Sequence, residues 1–321
     1  MIVPAVRKLD LAEIPMIDVA PLVAGNETLI PETVAAIARA AEGSGFLYVR
    51  NHGVPSALLA DLIHQCERFF ALPLAERMAV AAERSPQFRG YLPLEYGGKR
   101  TGQKKGPNLQ EAFLIGPERP CGPVPLDGPN QWPAGLSELK VAMTAYFDAT
   151  EAFGRKMLKG FARALGQHPD FFDQNYRSPM LMMKLNHYPP QPPMTDGQKI
   201  GVSGHSDADD FTILWQDSLG GLELLNKHGD WVQVPPIEGT YVINIGDMME
   251  RWSGGRFVST RHRVVNTSGA ERYSIPLFMA PHYHTVVRPL DGDAGKSMVA
   301  GEYLLDRWQT IYPQGKADAS A

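Results

Sequence analysis

After Met180 the sequence changes from helical periodicity to short β-rich segments. These segments are LMMKLNHY, FTILWQD, GLELL, DWVQV, TYVINIG, HRVVN and RYSIPLFM, and Gly, Pro, Asn or Asp residues separate them. Regularly spaced short strands with turn residues between them are typical of a β-sandwich or a barrel. Within LLNKHGDWVQV, the residues His228, Gly229 and Asp230 predict the turn of a hairpin. The second half of the chain is therefore expected to form a β core.

Helices are predicted before and after this β-rich part. Pro31 and Pro55 each begin a segment that predicts a helix, because proline is favoured in the first turn. A longer helical period runs over about 136–165, and 301–311 predict a last helix. Residues 84–133 are rich in Gly, Pro and charge and predict loops with a few short strands. Helices that precede a β core indicate an α+β fold class.

Composition argues against several classes of partner. The chain has 321 residues and a net charge of −4, so no basic surface for nucleic acid is expected. No apolar run approaches the roughly 18 residues that span a membrane. The two cysteines, Cys66 and Cys121, lie far apart and indicate no disulfide framework, which is typical of the reducing cytosol. We expect a cytoplasmic protein, a monomer or a homodimer, that acts on a small molecule.

Three residues in the β-rich part could hold one metal ion. His205 and Asp207 are two positions apart in an extended segment, so their side chains point to the same side. His262 lies 55 residues after Asp207 (262 − 207) and could reach the same point from a neighbouring strand. Two histidines and one carboxylate on one face form the facial triad of non-haem Fe(II) oxygenases. His282 and His284 also alternate in PHYHTVV, but no carboxylate is near them.

A second pattern predicts a site for an acidic co-substrate. Arg272 and Ser274 alternate in RYSIPLF and so face the same way. A guanidinium with a hydroxyl beside it suits a buried carboxylate, because the charged fork donates to two oxygens. The alternative is an arginine that pairs with a carboxylate of the protein. Asn186 and Tyr188 share a face of an earlier strand and could add donors, or could simply pack there.

These segments together resemble isopenicillin N synthase-like oxygenases that depend on 2-oxoglutarate and Fe(II). The resemblance includes GFLYVRNHGVP and FFALPLAE early in the chain, and NHYPP, GVSGHSDADDFTILWQD, DWVQVPP, VINIGDMMERWSGGRFVSTRHRVVN and ERYSIPLF later. It implies a double-stranded β-helix, or jelly roll, with flanking helices. It divides one continuous globular unit into an N-terminal region (1–125), a scaffold-helix region (126–178), a catalytic core (179–290) and a C-terminal helix and tail (291–321).

The resemblance also implies roles for the candidate residues. The two histidines and Asp207 would bind Fe(II). Arg272 and Ser274 would hold the distal carboxylate of 2-oxoglutarate, with Tyr188 assisting. Asn186 would lie nearer the keto-acid end. With O2, such enzymes convert 2-oxoglutarate to succinate and CO2 while they hydroxylate or desaturate an unactivated C–H bond of a small molecule.

The substrate is not encoded in these segments. Six residues are candidates for substrate contact: Arg89, Tyr91, Asp209, Asp210, Phe211 and Phe278. Arg89 could bind a substrate carboxylate or form a salt bridge in a loop. The two aspartates could hold an amine or a hydroxyl, or lie in a solvated turn. The two phenylalanines could form a wall of the pocket or belong to the core.

Two other functions stay open at this point. An oxidase of the same fold could take all its electrons from its substrate, as isopenicillin N synthase does, and would need no 2-oxoglutarate. A jelly roll could also bind a ligand without turnover. The intact set of two histidines and Asp207 argues against the second of these.

Overall fold

The computed structural model describes residues 14–94, 109–190, 201–266 and 269–311, so the predicted C-terminal tail lies outside the described residues. Its helices are α1 (Ala20–Ala24), α2 (Ile30–Gly43), α3 (Ser56–Phe70), α4 (Leu74–Met78), α5 (Ser137–Ala164), α6 (Asp247–Trp252) and α7 (Ala300–Ile311). Its strands are β1 (Met16–Asp18), β2 (Phe46–Arg50), β3 (Gly90–Leu92), β4 (Glu111–Ile115), β5 (Met180–Tyr188), β6 (Val202–His205), β7 (Phe211–Gln216), β8 (Leu222–Leu225), β9 (Trp231–Gln233), β10 (Thr240–Ile245), β11 (His262–Val264), β12 (Arg272–Ala280), β13 (Val286–Val287) and β14 (Met298–Val299).

Two sheets form the β core. The larger sheet has the strand order β1-β2-β10-β7-β12-β5-β4-β3, and the smaller one has the order β6-β11-β8-β9. Only β1 and β2 are parallel neighbours within these two sheets of the described chain. Strands that precede the long helix are thus hydrogen-bonded neighbours of strands that follow it. The α+β prediction with a jelly-roll core is confirmed, while the division into four regions stays a prediction.

Two apolar clusters pack against the larger sheet. Helices α2, α3 and α5 cover its outer face. Gly154 allows α5 to lie close to that face, because an added Cβ would be 2.7 Å from Met279 Cε and 3.2 Å from Ile213 Cδ1. The second cluster lies between the two sheets and includes Leu224 and Val242. Alternate residues of each strand therefore point either to the helices or into the barrel.

The predicted helices and hairpin are present. α2 has its proline in the first turn, α3 begins directly after Pro55, and α5 extends over 28 residues. The Asn226 side chain accepts hydrogen bonds from the backbone N–H groups of His228 and Asp230 and so closes the turn between β8 and β9. His282 and His284, in contrast, lie in a turn before β13 and not on a strand. None of the helices described is long and apolar enough to cross a membrane.

Candidate metal and co-substrate site

Strand pairing in the smaller sheet brings the two distant histidines together. His205 ends β6, His262 begins β11, and the two residues are register partners. Asp207 lies in the loop that follows β6. Its Oδ1 is 3.6 Å from His205 Nε2 and 3.7 Å from His262 Nε2. These ligand atoms all lie within 4.8 Å of one another, and no other such group occurs in the part of the chain described. We call these three residues the metal triad.

The second ring nitrogen of each histidine is held by the backbone. His205 Nδ1 is 2.8 Å from the carbonyl oxygen of Ser203, and His262 Nδ1 is 3.2 Å from that of Thr260. A carbonyl oxygen can only accept, so these contacts assign the N–H to Nδ1. Each Nε2 then carries the free lone pair with which it can bind a metal.

Two neighbouring side chains occupy the other oxygen of Asp207. Thr212 Oγ1 donates to Asp207 Oδ2 over 2.6 Å, and Asn244 Nδ2 donates to it over 2.7 Å. Thr212 and Asn244 are register partners on β7 and β10. The sequence did not single them out, although both lie on strands beside the predicted ligands. Their bonds leave Oδ1 free for a metal.

The surroundings of Asp207 and His205 favour the ligand form of these two groups. Burial alone would raise the pKa of Asp207, but the two histidines and the two hydrogen bonds lower it below its usual value. Although 41% of the His205 side chain is exposed, desolvation of the ring and repulsion from His262 lower its pKa. A carboxylate beside neutral imidazoles fits a divalent cation. The exposed side of His205 is where further ligands could approach.

A buried arginine lies deeper in the barrel. Arg272 is only 1% exposed, and no carboxylate in the described residues pairs with it. Its Nε donates to the carbonyl oxygen of Gly220, and its Nη2 is 3.4 Å from Gln216 Oε1. Its Nη1 has no hydrogen-bond partner among the described residues, and the guanidinium lies 4.6 Å from the ring centroid of Tyr188. Such a buried cation with a free donor fits an incoming carboxylate.

Asn186 and Ser274 lie next to this arginine on the same inner face. They are register partners on β5 and β12, and Asn186 Nδ2 donates to Ser274 Oγ over 3.3 Å. Asn186 Oδ1 has no partner. We call Arg272, Ser274, Asn186 and Tyr188 the anchor cluster. Thr212 of β7 contacts the metal triad, and Gln216 of the same strand contacts the anchor cluster. The four-residue step from Thr212 to Gln216 spans about 13 Å along the strand.

Two predicted substrate contacts face the wrong side of the sheet. Phe211 is fully buried and packs on Phe161 of α5, with ring centroids 5.0 Å apart. Tyr91 also points to the helices, where its hydroxyl donates to Glu111 and its ring lies 6.0 Å from that of Phe69. Odd positions on these strands point away from the barrel interior, so the geometry does not support a substrate contact for either residue. Phe278 shares the inner face with Ser274 and stays a candidate.

Three further candidates are held by the protein itself. Arg89 is 3% exposed, and its guanidinium lies 3.4 and 3.5 Å from two backbone carbonyl oxygens. Arg89 forms no salt bridge with the described residues, so the alternative of a loop salt bridge finds no support there, and burial lowers the pKa of Arg89 to about 10. Asp209 accepts from the Met279 backbone N–H over 3.1 Å, and Asp210 accepts from the Tyr176 hydroxyl over 2.7 Å. A solvated turn is thus wrong for both aspartates, which are buried.

Asp247 connects the metal loop to the last helix. Its backbone N–H donates to the Asp207 carbonyl oxygen over 2.8 Å. Its carboxylate accepts from Ser259 Oγ over 2.7 Å, from Tyr303 over 2.8 Å and from Arg307 over 3.0 Å. Tyr303 and Arg307 belong to α7. The sequence did not reveal this role, because it depends on where α7 packs.

The fold and the site define a class, that of jelly-roll proteins with a facial triad for a non-haem metal. Two family descriptions match the chain: the 2OG-Fe(II) oxygenase superfamily over residues 179–281, and the N-terminal part of a non-haem dioxygenase in morphine synthesis over residues 14–135. The chain belongs to the 2-oxoglutarate- and Fe(II)-dependent oxygenase superfamily.

Individual relatives agree with this assignment. A homoarginine-6-hydroxylase of Glycine max is 34% identical, over 94% of this chain and 98% of that protein. The 2-oxoglutarate-Fe(II) type oxidoreductase hxnY of Emericella nidulans is 34% identical, over 83% and 79% of the two chains. The crystal structure of a full-length Neurospora crassa protein in complex with α-KG has 28% identity and a TM-score of 0.84, over 93% of this chain and 96% of that one.

The protein is therefore a non-haem Fe(II) dioxygenase that uses 2-oxoglutarate and O2 and acts on a small molecule. The expected cofactors and reaction class are confirmed. The family and its relatives favour this function over the two alternatives, a 2-oxoglutarate-independent oxidase and a ligand-binding jelly roll without turnover. Free Nε2 atoms in the triad and the free Nη1 of Arg272 fit the metal and the co-substrate respectively.

Proposed function

We propose that the metal triad binds Fe(II), that Arg272 and Ser274 bind the distal carboxylate of 2-oxoglutarate with Tyr188 assisting, and that Asn186 lies nearer the keto-acid end. The observation that carries this proposal is which polar atoms are bonded within the protein and which are left free for a ligand. In the triad, every polar atom that does not face the common centre is already bonded within the protein. In the anchor cluster, Arg272 Nη1 is a buried N–H donor without a partner among the described residues, which is what an incoming carboxylate needs.

The residues of the chain would divide the work in the following way. The triad holds the metal on one side and leaves the opposite side for other ligands. Thr212 and Asn244 keep Asp207 oriented and ionised. The anchor cluster neutralises one end of the co-substrate, and Tyr188 covers the guanidinium face. When bound, Fe(II) and 2-oxoglutarate supply the oxidising chemistry that converts O2, 2-oxoglutarate and a C–H bond into succinate, CO2 and a hydroxylated or desaturated product.

We infer that the primary substrate is a small molecule that lies against the inner face of β12, with Phe278 as one wall. Phe278 is partly exposed and shares that face with Arg272 and Ser274. Structures of the same Neurospora crassa protein with thymine and with 5-formyluracil are similar to this fold, at TM-scores of 0.81 and 0.80. These complexes support a planar or compact substrate of about the size of thymine.

We also infer a monomer in the cytosol. Cys66 is buried and Cys121 is exposed, and both thiols are free. An exposed free thiol is typical of a reducing compartment. Light scattering at assay concentration tests the oligomeric state, and a mass of twice 35.3 kDa would contradict a monomer.

Anaerobic titration of the metal-free protein tests the residue roles. Fe(II) followed by 2-oxoglutarate should produce the weak visible charge-transfer band of the chelate. Asp207→Ala and His262→Ala should abolish iron binding and succinate formation. His228→Ala, in the exposed hairpin turn, is the matched control and should change neither. Iron binding at wild-type affinity in Asp207→Ala would refute the triad, and iron binding without any band in the wild type would refute the co-substrate site.

A further inference from the structure

We propose that Lys184 determines substrate specificity, and that its ammonium group binds a carboxylate on the primary substrate beside the metal triad. The inference rests on the proposed function and names the chemical class of substrate. Nothing in the triad or the anchor cluster uses this lysine. Its position, its lack of a partner and its apolar surroundings each support the proposal.

The strand geometry directs Lys184 into the barrel. All nine residues of β5 are buried, so its two faces can be told apart only by their partners. Asn186, two positions after Lys184, bonds to Ser274 on the inner face. Side chains at i and i+2 of a strand share a face, so Lys184 points inward as well. Met182, on the same face of β5, is the register partner of Phe278, and Phe278 is the register partner of Thr212, which donates to Asp207. Lys184 therefore lies on the part of the inner face that borders the triad.

Lys184 is a buried cation without a partner. It is 9% exposed, and its Nζ forms no hydrogen bond or ion pair with the residues that the structure describes. Apart from Arg272, the other cations on the described strands of the two sheets are paired, Arg50 with Asp18 and Arg263 with Glu223. A charge removed from water is costly unless an opposite charge accompanies it. Among the described strand residues of this inner face, Arg272 also lacks a carboxylate partner, and 2-oxoglutarate would supply its anion.

The neighbours of Lys184 indicate what kind of anion would bind. Leu114 is its register partner on β4, and Leu92 shares that inner face on β3. Met182 precedes it on the same face of β5, and Phe278 is the register partner of Met182. These side chains form an apolar wall with one cation in it. The wall fits a small, largely apolar or aromatic acid with a single carboxylate.

Paired probe compounds test this proposal. A panel of small aliphatic and aromatic carboxylic acids, each with its primary amide, is titrated calorimetrically into protein loaded with Fe(II) and 2-oxoglutarate without oxygen. The wild type should bind the best acids about 10- to 100-fold more tightly than their amides, because an ammonium donates a charge-assisted hydrogen bond only to the acid. Lys184→Met should lose this preference, and Lys184→Arg should retain most of it. Lys140→Met, which removes an exposed lysine on α5, should bind like the wild type.

The 2-oxoglutarate affinity separates this proposal from a role in co-substrate binding. The charge-transfer band should give the same Kd for 2-oxoglutarate in the wild type and in Lys184→Met. A weaker Kd in the variant would assign Lys184 to the co-substrate and overturn the proposal. So would a wild type that binds no acid better than its amide, or a preference that survives in Lys184→Met. Failure of the proposed function would appear separately, as the absence of the band in the wild type.

Discussion

Replacement of Arg272 by methionine should selectively weaken 2-oxoglutarate binding. Methionine retains an unbranched apolar stem beside Tyr188 but has no donor. In the wild type, Nη1 is free and Nη2 has only a 3.4 Å contact to Gln216, so two N–H groups can reach a carboxylate. Each hydrogen bond to a charged group contributes about 1.5–3 kcal/mol, so the pair contributes at least about 3 kcal/mol. The Kd for 2-oxoglutarate should therefore rise by roughly 150-fold.

The assay is the anaerobic titration of Fe(II)-loaded protein with 2-oxoglutarate, followed by its charge-transfer band. Arg272→Lys should show a smaller loss, roughly tenfold, because lysine keeps the charge but not the two-pronged geometry. Arg263→Met is the matched control, since Arg263 also lies in a sheet but pairs with Glu223. Chelator competition and thermal melting verify the iron site and the fold. An unchanged Kd in Arg272→Met, with both of these intact, would refute the reasoning.

Three further changes test the surroundings of the site. Thr212→Val removes one hydrogen bond to Asp207 and should weaken iron binding about tenfold or more, measured by chelator competition. Equal iron affinity in the variant and the wild type would contradict a role for Thr212 in orienting Asp207. Asp247→Asn should weaken the docking of α7, seen as faster proteolysis of that helix with reduced iron affinity; unchanged proteolysis would show that the charge is not needed. The pKa of Asp210 is raised to about 7 by burial, so the folded metal-free protein retains a proton that the unfolded chain releases near pH 4. The free energy of unfolding of the metal-free wild type should therefore fall as the pH rises from about 4 to 7. Asp210→Asn keeps an acceptor for the Tyr176 hydroxyl but has no proton to lose. In urea unfolding at pH 8 it should be more stable than the wild type by roughly 2–4 kcal/mol. A wild type and variant with parallel pH dependence would contradict the assignment.

Much of the candidate site could be predicted because side-chain direction within one strand is a local property. Alternation places Arg272 beside Ser274, and Asn186 beside Tyr188, whatever the partner strands are. The helices were predictable for a similar reason, since proline in the first turn and a 3.6-residue period are local signals. The fold class followed from the contrast between these helices and the short strands.

Other features depend on pairing between distant segments. Period-2 alternation shows that Phe211 and Thr212 face opposite ways, but not which of them faces the helices. The structure turns Phe211 to α5 and Thr212 to the metal triad. The same ambiguity applies to Tyr91, whose strand joins the sheet through β4.

The sequence by itself therefore determined the helices, the short strands, and which residue types share a face of each strand. Only the tertiary structure decided which face is buried against the helices and which partners meet inside the barrel. It brought the Asn244 amide to the Asp207 carboxylate and Tyr303 of α7 to the Asp247 carboxylate. It also left Lys184 near the triad without a counter-ion among the described residues. The physical reason is that register and sheet order are set by the packing of residues far apart in the chain, and no local pattern of side chains encodes them.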